Sequence, residues 1–454
     1  MAYIIHNDKI EDWVKTTQDK YHAVLSDPPY NLGFMQKAWD SVGGPAIYQE
    51  QVKLWGEALL PLLYPGAIVL MFGGTRTWHR LAAGMEDAGY TMWDTIMWLY
   101  GQGFPKAQDI SKLVDSANGH QRETTGNKVN CTASNNTNSR GNYNAEYEET
   151  IPSDESKPWA GHKTRALKPS WEPILCFAVP TDKNYADNAL EYGTGCLNID
   201  GARIGNENRE VMVRTKTVVK ANAMSGESTG ATGIGEYTTN GRYPANIVLD
   251  EESAKLLDER AGYHPTSGRN GDSGSGKTGM FVGSIRQQTY FDSGGASRFF
   301  YNAKADTAER NAGCDELPDK PFGFSNQALA EIERGTTEFD ASIGMGEVKL
   351  VKNAHPCVKP IDLNRWLASL LLPPDSVKPR RLLVPFSGSG SEMIGALLAG
   401  WDEIVGIEQD KDYCTIAEHR LKFWETNKKI GKTSQEIMQN AKRPEHQFKS
   451  LFER

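Results

Sequence analysis

The chain has 454 residues, of which 39% are hydrophobic and 24% are charged, with a net charge of −8 at pH 7. This length exceeds one ordinary domain and allows a sizeable core, and no apolar stretch or N-terminal signal pattern indicates a membrane protein. Six scattered cysteines without a C-x-x-C pair predict a reduced, cytoplasmic protein without a metal site.

Strands and helices alternate in the first 180 residues. The patterns predict strands at 3–5, 23–25, 67–72, 94–99 and 171–177, and helices at 46–63 and 77–88. The continuous apolar run at 67–72 is typical of a parallel sheet that is covered on both faces. The polar stretch 118–156 predicts a mobile loop or a disordered insertion.

Residues 181–354 do not follow this alternation. Gly, Thr, Ser and Asn are frequent there, and only short strands are predicted, at 245–249 and 298–301. Two interpretations stay open for this region. Its loops carry specificity on a scaffold, or they are surface insertions with structural roles only.

The sequence returns to a βαβ pattern after residue 381. A strand at 382–386 enters a turn of small residues, a helix follows at 393–399, and a second strand ends at Glu408. Gly388 and Gly390 permit close backbone approach to a ligand, and the Glu408 carboxylate can accept hydrogen bonds from both hydroxyls of a ribose. The full G-x-G-x-x-G spacing is missing, so the pattern predicts a nucleoside-containing ligand rather than a dinucleotide.

A second motif, Asp27-Pro28-Pro29-Tyr30, follows the apolar strand at 23–25. The two prolines remove two backbone donors and leave their carbonyl oxygens free to accept. A carboxylate, a bare carbonyl and an aromatic ring at one strand end suit a planar base with an exocyclic amine. A proline-rich turn with Tyr30 in ordinary packing is the structural alternative.

Together these motifs resemble those of the amino-group DNA methyltransferases that use S-adenosylmethionine. The Asp-Pro-Pro-Tyr motif resembles their catalytic motif, and the resemblance assigns catalysis to Asp27, Pro28, Pro29 and Tyr30. It assigns cofactor binding to a strand-end acid, the catalytic Asp, an HPxxKP-like element, the small-residue loop and the second strand tip: Asp8, Asp27, His355, Lys359, Pro360, Phe386, Ser387, Gly388, Ser389, Gly390, Glu408 and Gln409.

The order of these motifs along the chain resembles the circularly permuted β class of the family, including its phage and prophage members. The resemblance implies an α/β fold with a Rossmann-like, mixed and mostly parallel sheet. It implies a catalytic half at 1–180, an inserted, irregular target-recognition region at 181–354, a cofactor-binding half at 355–430 and a polar tail at 431–454.

The implied activity is site-specific methyl transfer from S-adenosylmethionine to the N6 amine of a flipped adenine in double-stranded DNA. Cytosine-N4 methylation uses the same chemistry, but Asp27 favours adenine because a Ser often replaces that Asp in cytosine enzymes. A DNA-binding protein with a relic cofactor fold is the alternative from another class. It draws on Val384, where the family usually carries an Asp that helps bind the cationic methionine end of the cofactor.

The expected partner is double-stranded DNA, and the resemblance leaves room for a homodimer and for a cognate restriction nuclease in a restriction-modification system. The net negative charge requires a local basic surface on an otherwise acidic protein. We predict that DNA phosphates are contacted by basic residues at two loops and in the inserted region: Lys106, Lys168, Arg203, Arg209, Arg214 and Lys216.

Overall fold

The computed structural model describes residues 3–33, 40–41, 43–101, 103, 107–132, 144–216, 232–265, 293–303, 307–321, 350–428 and 433–441. The strands are β1 (Tyr3–Asn7), β2 (Tyr21–Ser26), β3 (Leu63–Phe72), β4 (Thr91–Leu99), β5 (Thr124–Thr132), β6 (Asn144–Thr150), β7 (Trp171–Ala178), β8 (Ile204–Lys216), β9 (Thr232–Arg242), β10 (Ile247–Asp250), β11 (His264–Pro265), β12 (Ser293–Gly294), β13 (Tyr301–Ala303), β14 (Lys320–Pro321), β15 (Leu350–Val351), β16 (Arg381–Pro385) and β17 (Glu403–Glu408).

The helices are α1 (Ile10–Trp13), α2 (Pro45–Leu59), α3 (Trp78–Asp87), α4 (Ile110–Ala117), α5 (Tyr185–Tyr192), α6 (Glu251–Ala261), α7 (Thr307–Asn311), α8 (Ile361–Leu371), α9 (Ser391–Ala399), α10 (Lys411–Asn427) and α11 (Ser434–Ala441). Short 3₁₀ turns lie at Leu60–Leu62, Lys157–Trp159, Asp200–Ala202 and Ala296–Phe299. Within the described part of the chain, every helix is too short or too polar to cross a bilayer.

Nine strands of the described residues form one sheet in the order β1-β17-β16-β2-β3-β7-β4-β10-β13. All neighbours pair in parallel except β7, which runs antiparallel to both β3 and β4. This confirms the mixed, mostly parallel α/β fold. The late strands β16 and β17 lie between β1 and β2, so strand order in space differs from order along the chain, as a permuted arrangement requires.

Both faces of the sheet are covered, which explains the continuous apolar runs. Leu25 and Leu70 pack into the core on one face, whereas Val24 and Val69, one position earlier on the same strands, pack into the core on the other. Successive side chains of a strand point to opposite faces, so alternation disappears when both faces are buried. α8 and α9 cover the first face, and α2 and α3 cover the second.

Two predictions in the first half need correction. The helix predicted at 46–63 ends at Leu59, because Pro61 has no backbone donor and lies in a 3₁₀ turn that leads into β3. The polar stretch 118–156, predicted to be a loop or disordered, contains the antiparallel pair β5 and β6. The polar composition of this stretch does not predict strands, and the pairing is defined here by the backbone register of the two strands.

The prediction that residues 181–354 do not alternate between strands and helices is wrong for the middle of that region. β10, α6 and β13 form a parallel βαβ unit that extends the main sheet beyond β4. The strand predicted at 298–301 begins only at Tyr301, after a 3₁₀ turn. Ser297 holds that turn because its backbone N–H and its hydroxyl each donate to the Asp258 carboxylate, at 2.7 Å in both cases.

Candidate active site

The carboxyl ends of five neighbouring strands meet at one edge of the sheet, and a cavity of 1140 Å³ opens there. It is lined by Asp8 after β1, Asp27 after β2, Ser387 after β16 and Glu408 at the end of β17. Open α/β sheets bind ligands in such crevices, where the connections diverge. The fold therefore brings the separate sequence motifs into a single site.

Asp27 is fixed by two partners. The Tyr30 hydroxyl donates to Asp27 Oδ1 at 2.6 Å, and the Lys359 ammonium donates to Oδ2 at 2.8 Å. Lys359 Nζ also lies 3.4 Å from Glu172 Oε2, and its side chain is only 6% exposed. One buried cation is thus shared by two carboxylates, an arrangement that compensates for burying each charge.

The surroundings determine the protonation of this cluster. Burial alone would lower the pKa of Lys359, but the charges of Asp27 and Glu172 outweigh it, so the pKa lies above the ordinary value. Burial raises the pKa of Glu172, while Lys359 opposes that shift. Burial and then the Asp27 charge raise the pKa of Tyr30. At neutral pH Lys359 is therefore a cation and Tyr30 a hydrogen-bond donor.

The loop after β16 depends on two glycines for different reasons. Gly388 has φ +50°, and a Cβ there would lie 2.7 Å from His355 Nε2, so only glycine fits beside that ring. Its backbone N–H donates to Glu408 Oε2 at 2.9 Å. Gly390 has φ +81°, and its Cβ would lie 3.1 Å from the Ala417 Cβ. Gly388 shapes the cavity, whereas Gly390 lets α9 and α10 approach each other.

The HPxxKP-like element is the segment 355–360, and its uncharged His355 ring lies beside Gly388 of this loop. His355 packs edge-on against Tyr413 with ring centroids 4.5 Å apart, and Arg310 donates to the His355 carbonyl. Lost hydration and the nearby Arg310 charge lower the pKa of His355 to about 3, so it is neutral at pH 7. Burial raises the pKa of the Cys357 thiol to about 12, so at neutral pH it is a thiol and a poor nucleophile.

The strand tip fits a nucleoside. Both Glu408 oxygens accept backbone N–H groups, from Asp410 at 2.8 Å and from Gly388 at 2.9 Å, and this buried carboxylate also lines the cavity. Each carboxylate oxygen can accept two hydrogen bonds, so capacity remains for ligand hydroxyls. Ser387 lines the cavity, and its hydroxyl is buried without a hydrogen-bond partner among the described residues. These polar groups suit a ribose-bearing cofactor.

Two aromatic rings extend the apolar wall beside the loop. Phe386 packs on Trp55 with centroids 4.8 Å apart, and both residues line the cavity. Phe386 has φ +57°, a left-handed conformation that non-glycine residues seldom adopt. Such backbone strain persists where the surrounding packing imposes it, which occurs frequently at ligand sites.

The cavity includes most of the residues that the sequence assigned to it. Its lining contains Asp8, Asp27, Pro28, Pro29, Tyr30, His355, Lys359, Phe386, Ser387, Gly388, Ser389, Glu408 and Gln409. Pro360 and Gly390 are not among the lining residues, because Pro360 precedes α8 and Gly390 packs against α10. Lys359, predicted as a cofactor ligand, lines the cavity and donates a hydrogen bond to the predicted catalytic Asp27.

The structure places the predicted DNA-contacting residues unevenly. Lys168 is exposed, and its neighbours Leu167 and Pro169 line the cavity. Arg203 Nε donates to Asp200 at 2.7 Å. The backbones of Arg209, Arg214 and Lys216 lie in β8, and their side chains fall outside the described part of the structure, as does the whole of Lys106. Their contacts with DNA stay predictions.

Three site residues were not assigned roles from the sequence: Glu172, Glu392 and Arg420. Arg420 is fully buried and donates to the Ser389 carbonyl at 2.6 Å and to the Ser391 hydroxyl at 3.1 Å, thereby holding the loop from behind. An arginine on the apolar face of α10, one turn from the buried Ala417, was the available signal.

The chain is similar to known proteins in sequence. The N6_N4_Mtase family model, described as DNA methylase, matches residues 21–419. Type II methyltransferase M.HindIII from Haemophilus influenzae is 24% identical over 233 residues, 43% of this chain and 64% of that protein, so the chain spans less than two thirds of this relative. The M1.HpyAVI–SAM complex has a TM-score of 0.35 at 12% identity, covering 92% of this chain and 100% of that one. PvuII DNA methyltransferase (cytosine-N4-specific) has a TM-score of 0.41 at 8% identity, covering 97% of this chain and 91% of that one.

Because the family match takes in most of the chain, the protein belongs to the N6/N4 family of DNA methylases.

Proposed function

We propose that this protein transfers a methyl group from S-adenosylmethionine to the N6 amine of adenine in double-stranded DNA. One observation carries the proposal: Asp27, held by Tyr30 and Lys359, faces the same cavity as the Gly388 loop and the Glu408 carboxylate. An acceptor for an exocyclic amine and a nucleoside-binding strand tip are therefore parts of one site. S-adenosylmethionine, when bound, supplies an electrophilic methyl group on a sulfonium.

The strand end after β2 provides acceptors for the target amine. The Pro29 carbonyl already accepts from the Tyr48 hydroxyl at 2.9 Å, which leaves the Pro28 carbonyl and the Asp27 carboxylate as the acceptors. The lone pair of an exocyclic amine is delocalised into its ring and is a poor nucleophile. Two hydrogen bonds from the amine to these oxygens favour a tetrahedral nitrogen, whose lone pair is available for attack. Holding the reactants in line supplies much of the remaining rate.

Lys359 and Tyr30 orient Asp27 for this work. A carboxylate that is held on both oxygens cannot rotate away, so its remaining lone pairs stay directed at the cavity. Once the nitrogen is methylated it must lose a proton, and Asp27 is the base within hydrogen-bond reach because it accepts that N–H. No covalent enzyme intermediate is required, in agreement with the raised pKa of Cys357.

The rim of the cavity suits the DNA backbone. Arg76, Arg165 and Lys168 are exposed, and the two arginines line the cavity beside Leu167. Basic side chains around the mouth can bind phosphates and position the duplex while one base leaves the stack. Extruding a base costs about a few kcal/mol, which contacts inside the cavity offset.

Three finer statements stay predictions: a homodimer and a cognate restriction nuclease, for which the resemblance leaves room, and a cytoplasmic location, which the scattered cysteines predict. Adenine is favoured over cytosine because Asp27 opens the motif. A relic fold that binds DNA without catalysis would lack cofactor binding. The Gly388 loop, and the buried Ser387 hydroxyl that has no partner within the described part of the chain, support a working cofactor site.

The direct test combines the purified chain, methyl-labelled S-adenosylmethionine and double-stranded DNA of mixed sequence, followed by nucleoside digestion and mass spectrometry. We expect labelled N6-methyladenine. N4-methylcytosine would correct the base while keeping the reaction, and no labelled nucleoside would refute the activity. An Asp27→Ala variant is the control. It removes the acceptor of the target amine but leaves the proposed cofactor contacts at Glu408 in place, so it should form no labelled nucleoside.

A further inference from the structure

We propose that Glu392 binds the ammonium group of the methionine end of S-adenosylmethionine. The inference deepens the proposed function and rests on it. Glu392 lies in the first turn of α9, directly after the loop that Gly388 shapes. Its side chain is only 4% exposed, yet it lines the cavity. The cofactor carries a cation beyond its ribose, and a buried carboxylate is the protein group that complements a cation.

Two other carboxylates near the loop are less suited to an ammonium. A ligand ammonium placed at Asp27 would meet the Lys359 cation, which lies 2.8 Å from Asp27 Oδ2. Glu408 lies at the tip of β17, where we expect its remaining lone pairs to accept from the ribose hydroxyls. Val384, where related enzymes carry an acid, is fully buried in the apolar core. Glu392 is thus a buried carboxylate that lines the cavity and directly follows the Gly388 loop in the chain.

The contacts of Glu392 hold it in place. Asn364 Nδ2 donates to Glu392 Oε1 at 3.2 Å. The first turn of a helix also favours a negative charge, because unpaired N–H groups point toward it. These features orient the carboxylate, and the cavity provides the space on its remaining side for a ligand group.

The charges around Glu392 predict how the site responds to pH. Burial and then the Asp27 charge raise the pKa of Glu392 to about 7, while Lys359 and the hydrogen bond from Asn364 oppose that rise. Arg420, behind the loop, also interacts with this carboxylate. A cation bound to Glu392 favours its ionised form. Cofactor binding near pH 7 should therefore release a proton, and affinity should fall as the pH drops below 7.

Two ligands separate this role from general support of the loop. S-adenosylhomocysteine carries the ammonium, whereas 5′-deoxy-5′-methylthioadenosine keeps the nucleoside and the sulfur but lacks the amino-acid end. By calorimetry, Glu392→Gln should weaken S-adenosylhomocysteine binding by about 10–100-fold, the range for a hydrogen bond to a charged group. Binding of methylthioadenosine should change by less than about twofold. Glu57→Gln, on the far part of α2 and outside the cavity lining, should alter neither.

Equal weakening of both ligands, or no weakening of either, would overturn the role of Glu392. If the unmodified protein binds neither ligand, the proposed function fails instead. A second measurement needs no variant: binding enthalpies of S-adenosylhomocysteine at pH 7, in buffers of different ionisation enthalpy, give the number of protons released. We expect a clear fractional release, and zero release would contradict a titrating carboxylate at the ammonium.

Discussion

Lys359, the buried cation shared by Asp27 and Glu172, gives a quantitative prediction for the stability of the protein. Replacing Lys359 with Met keeps the length and apolar stem of the side chain but removes its charge. The structure then leaves Asp27 and Glu172 without the ammonium that now lies 2.8 and 3.4 Å from them. Removing one partner of a buried ion pair costs about 3–5 kcal/mol, because the remaining charge is desolvated without compensation.

Chemical unfolding followed by circular dichroism measures this loss. We expect Lys359→Met to lower the free energy of unfolding by about 3–5 kcal/mol at neutral pH and to abolish methyl transfer. The raised pKa of Lys359 lies above 10.5, so the contribution of the cation is complete below pH 10 and is lost only at higher pH. The deficit should shrink as the pH falls, because the Glu172 carboxyl, whose pKa is raised by burial, can then take up a proton.

A double-mutant cycle tests the reasoning itself. Glu172→Gln removes one of the stranded charges, so Lys359→Met should cost less in that background, with an interaction energy of about 0.5–3 kcal/mol. Strict additivity, or an unchanged stability in Lys359→Met, would show that the three groups do not form one electrostatic unit. Lys15→Met, which removes an exposed ion pair to Asp12, should leave stability unchanged.

Three further outcomes are expected. Asp27→Ala should reduce methyl transfer about 100-fold or more with little change in cofactor affinity, and retention of most turnover would contradict its role. Glu408→Ala should weaken binding of S-adenosylmethionine by about 1.5–3 kcal/mol in calorimetry, whereas an unchanged dissociation constant would contradict the placement of the ribose. Leu167 is 93% exposed between basic residues at the cavity rim, and Leu167→Ala should reduce base extrusion, measured by 2-aminopurine fluorescence, several-fold. Leu190→Ala, at an 87% exposed leucine outside the cavity lining, is its matched control, and equal effects of the two variants would refute a role in extrusion.

Local patterns were enough to find the strand ends that line the cavity. Asp27 and Glu408 each follow a short apolar run, and such runs become strands when both sides of the sheet are covered. The turn of small residues before α9 could also be predicted, because glycines after a strand are typical of a tight turn. The structure shows that both glycines have positive φ. Parallel strands place their carboxyl ends together, so a shared site could be expected from these motifs.

Pairings between strands that are distant in the sequence could not be predicted in the same way. A strand was predicted near β10, but its pairing with β4 and β13 in the main sheet was not, because short strands do not specify their partners. The helix predicted at 46–63 failed at its end because a pattern of apolar residues does not register the missing donor of Pro61. The proposed role of Glu392 and the contacts of Arg420 depend on which helices pack against the loop, and spacing within one helix does not contain that information.

The sequence by itself determined the class of chemistry, because the residues of each motif are neighbours in the chain and adopt their arrangement through local backbone constraints. Only the tertiary structure decided how those motifs cooperate. Lys359 and Asp27 are 332 positions apart, yet they form the central ion pair of the site. Their contact exists because β16 and β17 insert between β1 and β2, and the order of strands in a sheet is set by the packing of the whole chain.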